Sequence, residues 1–156
     1  MSFLGPFPNP AFKRQVAIKG EPRLVAQISG EMTTGRKDAP LGSPRFAGSV
    51  TEVGFSVERS GKDDAQDLSL TLDVKINGTT CLTTQAIIAH VSGEASTNKT
   101  TCESGDTGVT EAVVDGDANT YNPGDLISYD LVLTRTATPT TEMRNPVVVV
   151  ELTPDE

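Results

Sequence analysis

The sequence has no tryptophan, only two tyrosines and five phenylalanines, a single histidine and two cysteines in 156 residues. Each shortage narrows the field. With aromatics at 4%, few side chains are left to build a sugar-stacking cleft. The one histidine, His90, sits between Ala89 and Val91, an apolar setting that fits a structural imidazole better than the base of a nucleophile pair. Neither Cys81 nor Cys102 has a neighbour pattern that would activate a thiol. No Gly-x-Ser-x-Gly elbow or phosphate-cradling glycine loop occurs. CxxC and HxxxH spacings are also missing, so metal ligation by Cys81, Cys102 and His90 is not expected. No run approaches the roughly 18 apolar residues needed to span a bilayer, and Met1–Phe12 lacks the charged start and unbroken apolar stretch of a secretory signal. The expectation is a non-enzymatic chain, made in the cytoplasm, with no cofactor and no metal.

What the sequence does have is turn chemistry and strands. Fourteen glycines and ten prolines punctuate a chain that is 36% hydrophobic, a composition that favours short strands over long helices. The clearest strand places Leu68, Leu70, Leu72, Val74 and Ile76 at strict period two, with Ser69, Thr71, Asp73 and Lys75 between them. Asn77-Gly78 follows, the pair that best tolerates positive φ at both turn positions, and predicts a tight hairpin. Val53, Phe55 and Val57 alternate in the same way, as do Ile127, Tyr129, Leu131 and Leu133. Residues 23–29, 85–91 and 109–114 read as further strands, 85–91 less distinctly because Thr84 could also cap a helical turn. Val147, Val148, Val149 and Val150 leave no polar face, as in a strand covered on both sides, and mark a possible subunit interface. Seven or eight strands of this kind describe an all-β fold, an antiparallel β-sandwich or jelly roll, over residues 49–156.

The first 48 residues read differently. Pro6, Pro8 and Pro10 alternate among Phe3, Leu4 and Phe7, which keeps this stretch out of a strand ladder. A short strand is expected at 12–18, and 30–48 reads as a loop or linker, so 1–48 is expected to be an extended N-terminal arm and linker with short strands. Charge divides at the same place. Residues 1–50 hold seven Lys/Arg against three acids, whereas the remainder holds six against eighteen, within a net charge of −8. An acidic body repels nucleic acid and anionic membranes, whereas a basic arm is drawn to either of these or to an acidic protein surface; the expected partner is protein, with no nucleic acid and no membrane.

Two local patterns stay open. Cys81 and Cys102 either pair or remain thiols. Asp115, Asp117 and Asn119 set oxygen ligands at alternate positions, but Thr120 stands where a calcium loop needs glycine and Leu126 where it needs glutamate, so a solvated turn is the default.

Four segments carry a likeness to a known class: Val74-Lys75-Ile76-Asn77-Gly78-Thr79-Thr80, Ala89-His90-Val91-Ser92-Gly93-Glu94, Asn122-Pro123-Gly124-Asp125-Leu126, and Leu133-Thr134-Arg135-Thr136-Ala137-Thr138-Pro139-Thr140-Thr141-Glu142. Over residues 49–153 the chain resembles a domain of tailed-bacteriophage virion proteins. Such domains occur in capsid decoration (cement) proteins and at the ends of head or tail fibres. The resemblance implies a homotrimer on the outer capsid surface, bound to the major capsid protein and reinforcing its lattice. Phe3, Leu4, Phe7, Phe12, Lys13 and Arg14 are the candidate capsid-contact residues of the arm. The alternative is a fibre module that recognises host surface carbohydrate.

Overall fold

The computed structural model describes residues 22–156 except Gln66 and Ser104; the expected strand at 12–18 and residues 1–21 as a whole lie outside the described residues. Every strand pairing is antiparallel, and two sheets enclose one core. The architecture is an all-β sandwich, as the alternating sequence pattern requires.

In chain order the strands are β1 (Arg23–Gln27), β2 (Arg36–Gly42), β3 (Gly48–Val57), β4 (Ser69–Ile76), β5 (Thr79–Thr80), β6 (Leu82–Thr84) and β7 (Ala86–Ala89). They continue with β8 (Lys99–Thr100), β9 (Val109–Thr110), β10 (Val113–Val114), β11 (Thr120–Tyr121), β12 (Ile127–Thr134) and β13 (Val147–Pro154). One sheet runs β9-β7-β4-β12-β2, with β5 folded back on β4. The other runs β11-β3-β13-β1, with β8 also pairing β3. A two-stranded piece joins β10 to β6.

The core follows from period two. Leu70, Leu72, Val74 and Leu131 point inward from the first sheet, and Val50, Phe55, Val148 and Val150 from the second, each almost wholly buried. Burying one such side chain contributes about 1.5–3 kcal/mol, so these eight carry much of the stability. The Asn77-Gly78 turn takes the expected geometry, with φ of 50° and 84°. Asn77 also ties that turn to the next loop, because its side-chain oxygen accepts from the Leu126 N–H at 3.0 Å.

Three expectations need correction. Residues 30–48 are not simply a loop, since β2 pairs with β12 along most of its length. Its sequence hides it: Pro40 and a left-handed Asp38 (φ 49°) break any alternation, which an edge strand tolerates. Asp38 is held by its N–H donating to Asp130 Oδ1 at 2.7 Å and by Lys75, whose ammonium contacts both carboxylates. Likewise β1 pairs with β13, so the sandwich takes strands from before residue 49. Residues 109–114, read as one strand, split into β9 and β10, which serve different sheets.

Candidate functional site

The six arm residues, Phe3, Leu4, Phe7, Phe12, Lys13 and Arg14, lie outside the described residues. The valine run is described and needs a correction. Val148 and Val150 are fully buried in the chain's own core and are out of reach of another subunit. Alternation persists through the run because successive side chains of a strand point to opposite faces, and β13 lies within its sheet, flanked by β3 and β1. Only Val147 and Val149, half-buried, face outward.

A concavity lies on that outer face. Across it, Val25 of β1 opposes Val149, and Val149 opposes Gly54 of β3. The glycine makes room there. A Cβ at Gly54 would lie 2.8 Å from Cys102 Sγ, so the cysteine rests directly on the bare backbone. Beside it a groove of about 570 Å³ runs between residues 51–54 and residues 111–114, with Cys102 and Val149 also lining it. Glu52, Glu111 and Glu151 are its charged residues.

The backbone explains why the groove exists. β13 pairs along one edge of β3 from Gly48 to Ser56. On the opposite edge β11 pairs with Gly48 and Ser49, and β8 with Ser56 and Val57. The stretch between them contains a bulge: Glu52 faces Glu151 and Val50 faces Leu152, leaving Thr51 as the extra residue. Among the described residues, no strand pairs with residues 51–54 on this edge.

Other titratable groups fasten loops. His90, with a fully buried side chain, meets Asp64 through Nε2 at 2.9 Å, and its buried Nδ1 has no hydrogen-bond partner among the described residues. Asp64 also accepts the Gly93 N–H at 2.9 Å. These bonds, the Gly93 amide first and His90 next, hold its carboxyl at about 2. Lys99 is buried, and its ammonium donates to the carbonyls of Ala89 (2.8 Å) and Thr107 (2.6 Å) and to Glu94 (2.9 Å). Burial alone would raise the Glu94 carboxyl, but the bonds from Lys99, the Val91 N–H and Thr107 outweigh it and hold it below the usual range.

The two cysteines are free thiols in different surroundings. Burial, with the nearby Asp73 charge, pushes Cys81 up to about 12, whereas Cys102 is exposed. Asp115 closes its own turn by accepting the Asp117 N–H at 3.0 Å, and the Asn119 amide donates to the Val50 carbonyl at 2.8 Å. Among the described residues, no three His, Cys, Asp or Glu side chains gather as metal ligands.

Sequence reasoning missed the Lys99 anchor and the groove. Lys99 stands in a polar stretch that looks like solvated loop, and nothing in its spacing marks it as buried. The groove had one legible signal: Gly54 interrupts the outward row of β3 between Glu52 and Ser56. Comparisons with protein families, with curated proteins and with solved structures found no match to this chain.

Proposed function

We propose that this chain is a non-enzymatic virion structural protein that binds the outer surface of the major capsid protein and reinforces the capsid lattice, as a homotrimer. The observation that carries the reading is the separation of charge. Residues 1–21 hold three Lys/Arg against one acid, and residues 22–156 hold ten against twenty. A basic leader grips an acidic protein surface, while an anionic body facing solvent keeps particles apart. The resemblance of residues 49–153 to phage virion domains, read from short sequence segments alone, suggests the same role. So does the use of His90, Lys99 and Lys75 to fasten loops and strands. Binding only the assembled lattice would stabilise it by linkage, and many weak contacts repeated over a particle would add up through multivalency.

The test is deletion of residues 1–20 followed by co-sedimentation with capsids. Loss of capsid binding by a protein that retains its β circular dichroism supports the reading. Undiminished binding overturns the arm's role. Copy number separates the alternative: hundreds per particle fit decoration, and a handful fit a fibre tip.

A further inference from the structure

We propose that residues 12–18 of this chain form an outer strand of the second sheet, laid antiparallel along the free edge of β1, and so fix the point from which residues 1–11 leave the sandwich. The inference concerns where the leader is anchored. It stands apart from the capsid reading, and either can fail without the other.

The edge itself is the first observation. β1 ends the order β11-β3-β13-β1 and, among the described residues, pairs with β13 alone. The Leu152 N–H donates to the Pro22 carbonyl at 2.9 Å, and the Ile28 N–H to the Pro146 carbonyl at 3.0 Å. Bonded and unbonded pairs alternate in an antiparallel ladder, so Leu24 and Ala26 also bond toward β13. Arg23, Val25 and Gln27 therefore aim their N–H and C=O groups to the other side, where no described residue receives them. β2 does not stand in that place. It approaches β1 from the core side, where a Cβ on Gly42 would meet Cδ2 of the inward Leu24 at 3.4 Å. Nor does β1 carry the proline or the register slips that blunt β2, and Val25 on it is 49% exposed. An edge this regular calls for a cover.

The second observation is where the described chain begins. Pro22 is bonded into the ladder, so the residues before it start at one end of that edge. Residues 12–18 read Phe-Lys-Arg-Gln-Val-Ala-Ile, and Lys19-Gly20-Glu21 is a glycine-containing connection of hairpin length. With that turn Ile18 falls opposite Pro22, Val16 opposite Leu24, Arg14 opposite Ala26 and Phe12 opposite Ile28. Directly opposed residues share a face, so Phe12, Val16 and Ile18 extend the inward row of Leu24, Ala26 and Ile28. Arg14 belongs to the same row at the sheet margin, where a long side chain lays its stem on apolar surface and carries its charge out to water. Lys13, Gln15 and Ala17 fall opposite Gln27, Val25 and Arg23 and supply the matching backbone groups; none of them is proline. So short a tether closes at lower entropic cost than pairing with a separate polypeptide. The strand ends beside Ile28. Phe3, Leu4 and Phe7 then leave from the end of the sandwich where residues 30–32 meet residues 143–145.

The experiment uses the full-length chain carrying Cys102→Ser, which leaves the wholly buried Cys81 as its native thiol. Two pairs are added to it separately: Gln15→Cys with Val25→Cys, and Val16→Cys with Val25→Cys. Opposed residues of an antiparallel pair lie about 5.5 Å apart between Cα atoms, within disulfide reach, whereas side chains on opposite faces point apart. On mild oxidation the 15/25 pair is expected to close within one chain, read by mass spectrometry of its peptides, and the 16/25 pair to stay open. In hydrogen exchange the Val25 and Gln27 amides should be protected about tenfold more in the parent chain than in Gln15→Pro, which removes a donor from the ladder. Closure of neither pair, equal closure of both, or exchange at Val25 and Gln27 unchanged by the proline would each overturn the proposal. Disulfides joining position 15 of one copy to position 25 of another would give the edge to a second copy and overturn the assignment to the chain's own leader. Capsid co-sedimentation reads the other proposal separately.

Discussion

Lys99 and Glu94 form an ion pair at 2.9 Å in which the lysine side chain is 2% exposed. The ammonium has three donors, and three oxygens from residues 89, 94 and 107 receive them. The pair thus joins both ends of the 90–108 segment to the end of β7.

Replacing Lys99 with Met would leave a carboxylate and two carbonyls facing an apolar chain. Glu94 stays one-fifth exposed and keeps its bonds from the Val91 N–H and Thr107, so the cost is that of unsatisfied polar partners, about 1–3 kcal/mol, and urea unfolding should show a loss of that size. Glu94→Gln added to Lys99→Met should cost less than the sum of the single changes, because the two residues share one interaction.

The Asp64 carboxyl titrates at about 2 in the folded chain, against an ordinary value of 3.8. The unfolded chain therefore takes up this proton first as pH falls. The stabilisation is complete above about pH 5 and is lost progressively as pH falls through 3.8 toward about 2. Urea midpoints measured across that window should fall less steeply for Asp64→Asn than for the parent. Above about pH 5 the two slopes should coincide, since this carboxyl is then ionised in both states.

Gly61 has φ of 74°, and a Cβ there would meet Leu68 Cδ2 at 2.7 Å and the backbone of Glu142 and Met143 at 2.9 Å. Gly61→Ala combines a left-handed penalty with contact against main chain that cannot retreat. A loss of about 1–3 kcal/mol is expected in chemical denaturation.

Asn145 also sits in the left-handed region, at φ 51°. Its side-chain oxygen accepts the Gly30 N–H at 2.6 Å, its own N–H donates to the Gly30 carbonyl at 3.0 Å, and its amide reaches Glu58 at 2.9 Å. Asn145→Ala should cost about 1–3 kcal/mol, whereas Asn145→Gly should cost less by keeping the backbone at ease. Thermal melts of the two variants should rank in that order.

The sandwich was legible wherever one face is buried and the other wet. Leu68, Leu70, Leu72, Val74 and Ile76 announce β4 because a period of two needs no knowledge of the partner strand. β2 could not be read that way. Pro40 and Asp38 belong to it because Lys75 and Asp130, 35 or more residues away in sequence, hold Asp38 in place. The valine run was legible as a strand but not as a surface. Periodicity alone does not reveal that two of its members face the core and two face outward. The groove was hidden for a further reason: a gap in a ladder depends on where β8 and β11 stop, and both are two residues long.

Pro40 also bears on how copies of this protein crowd together. The rim formed by β2 contains a residue with no amide hydrogen and two slips in its pairing with β12. A neighbouring polypeptide arriving at that rim finds no regular row of donors and acceptors to copy. At high local concentration, as on any densely covered surface, this flank resists runaway fibril growth, and lateral fusion by sheet extension is steered to other margins of the molecule.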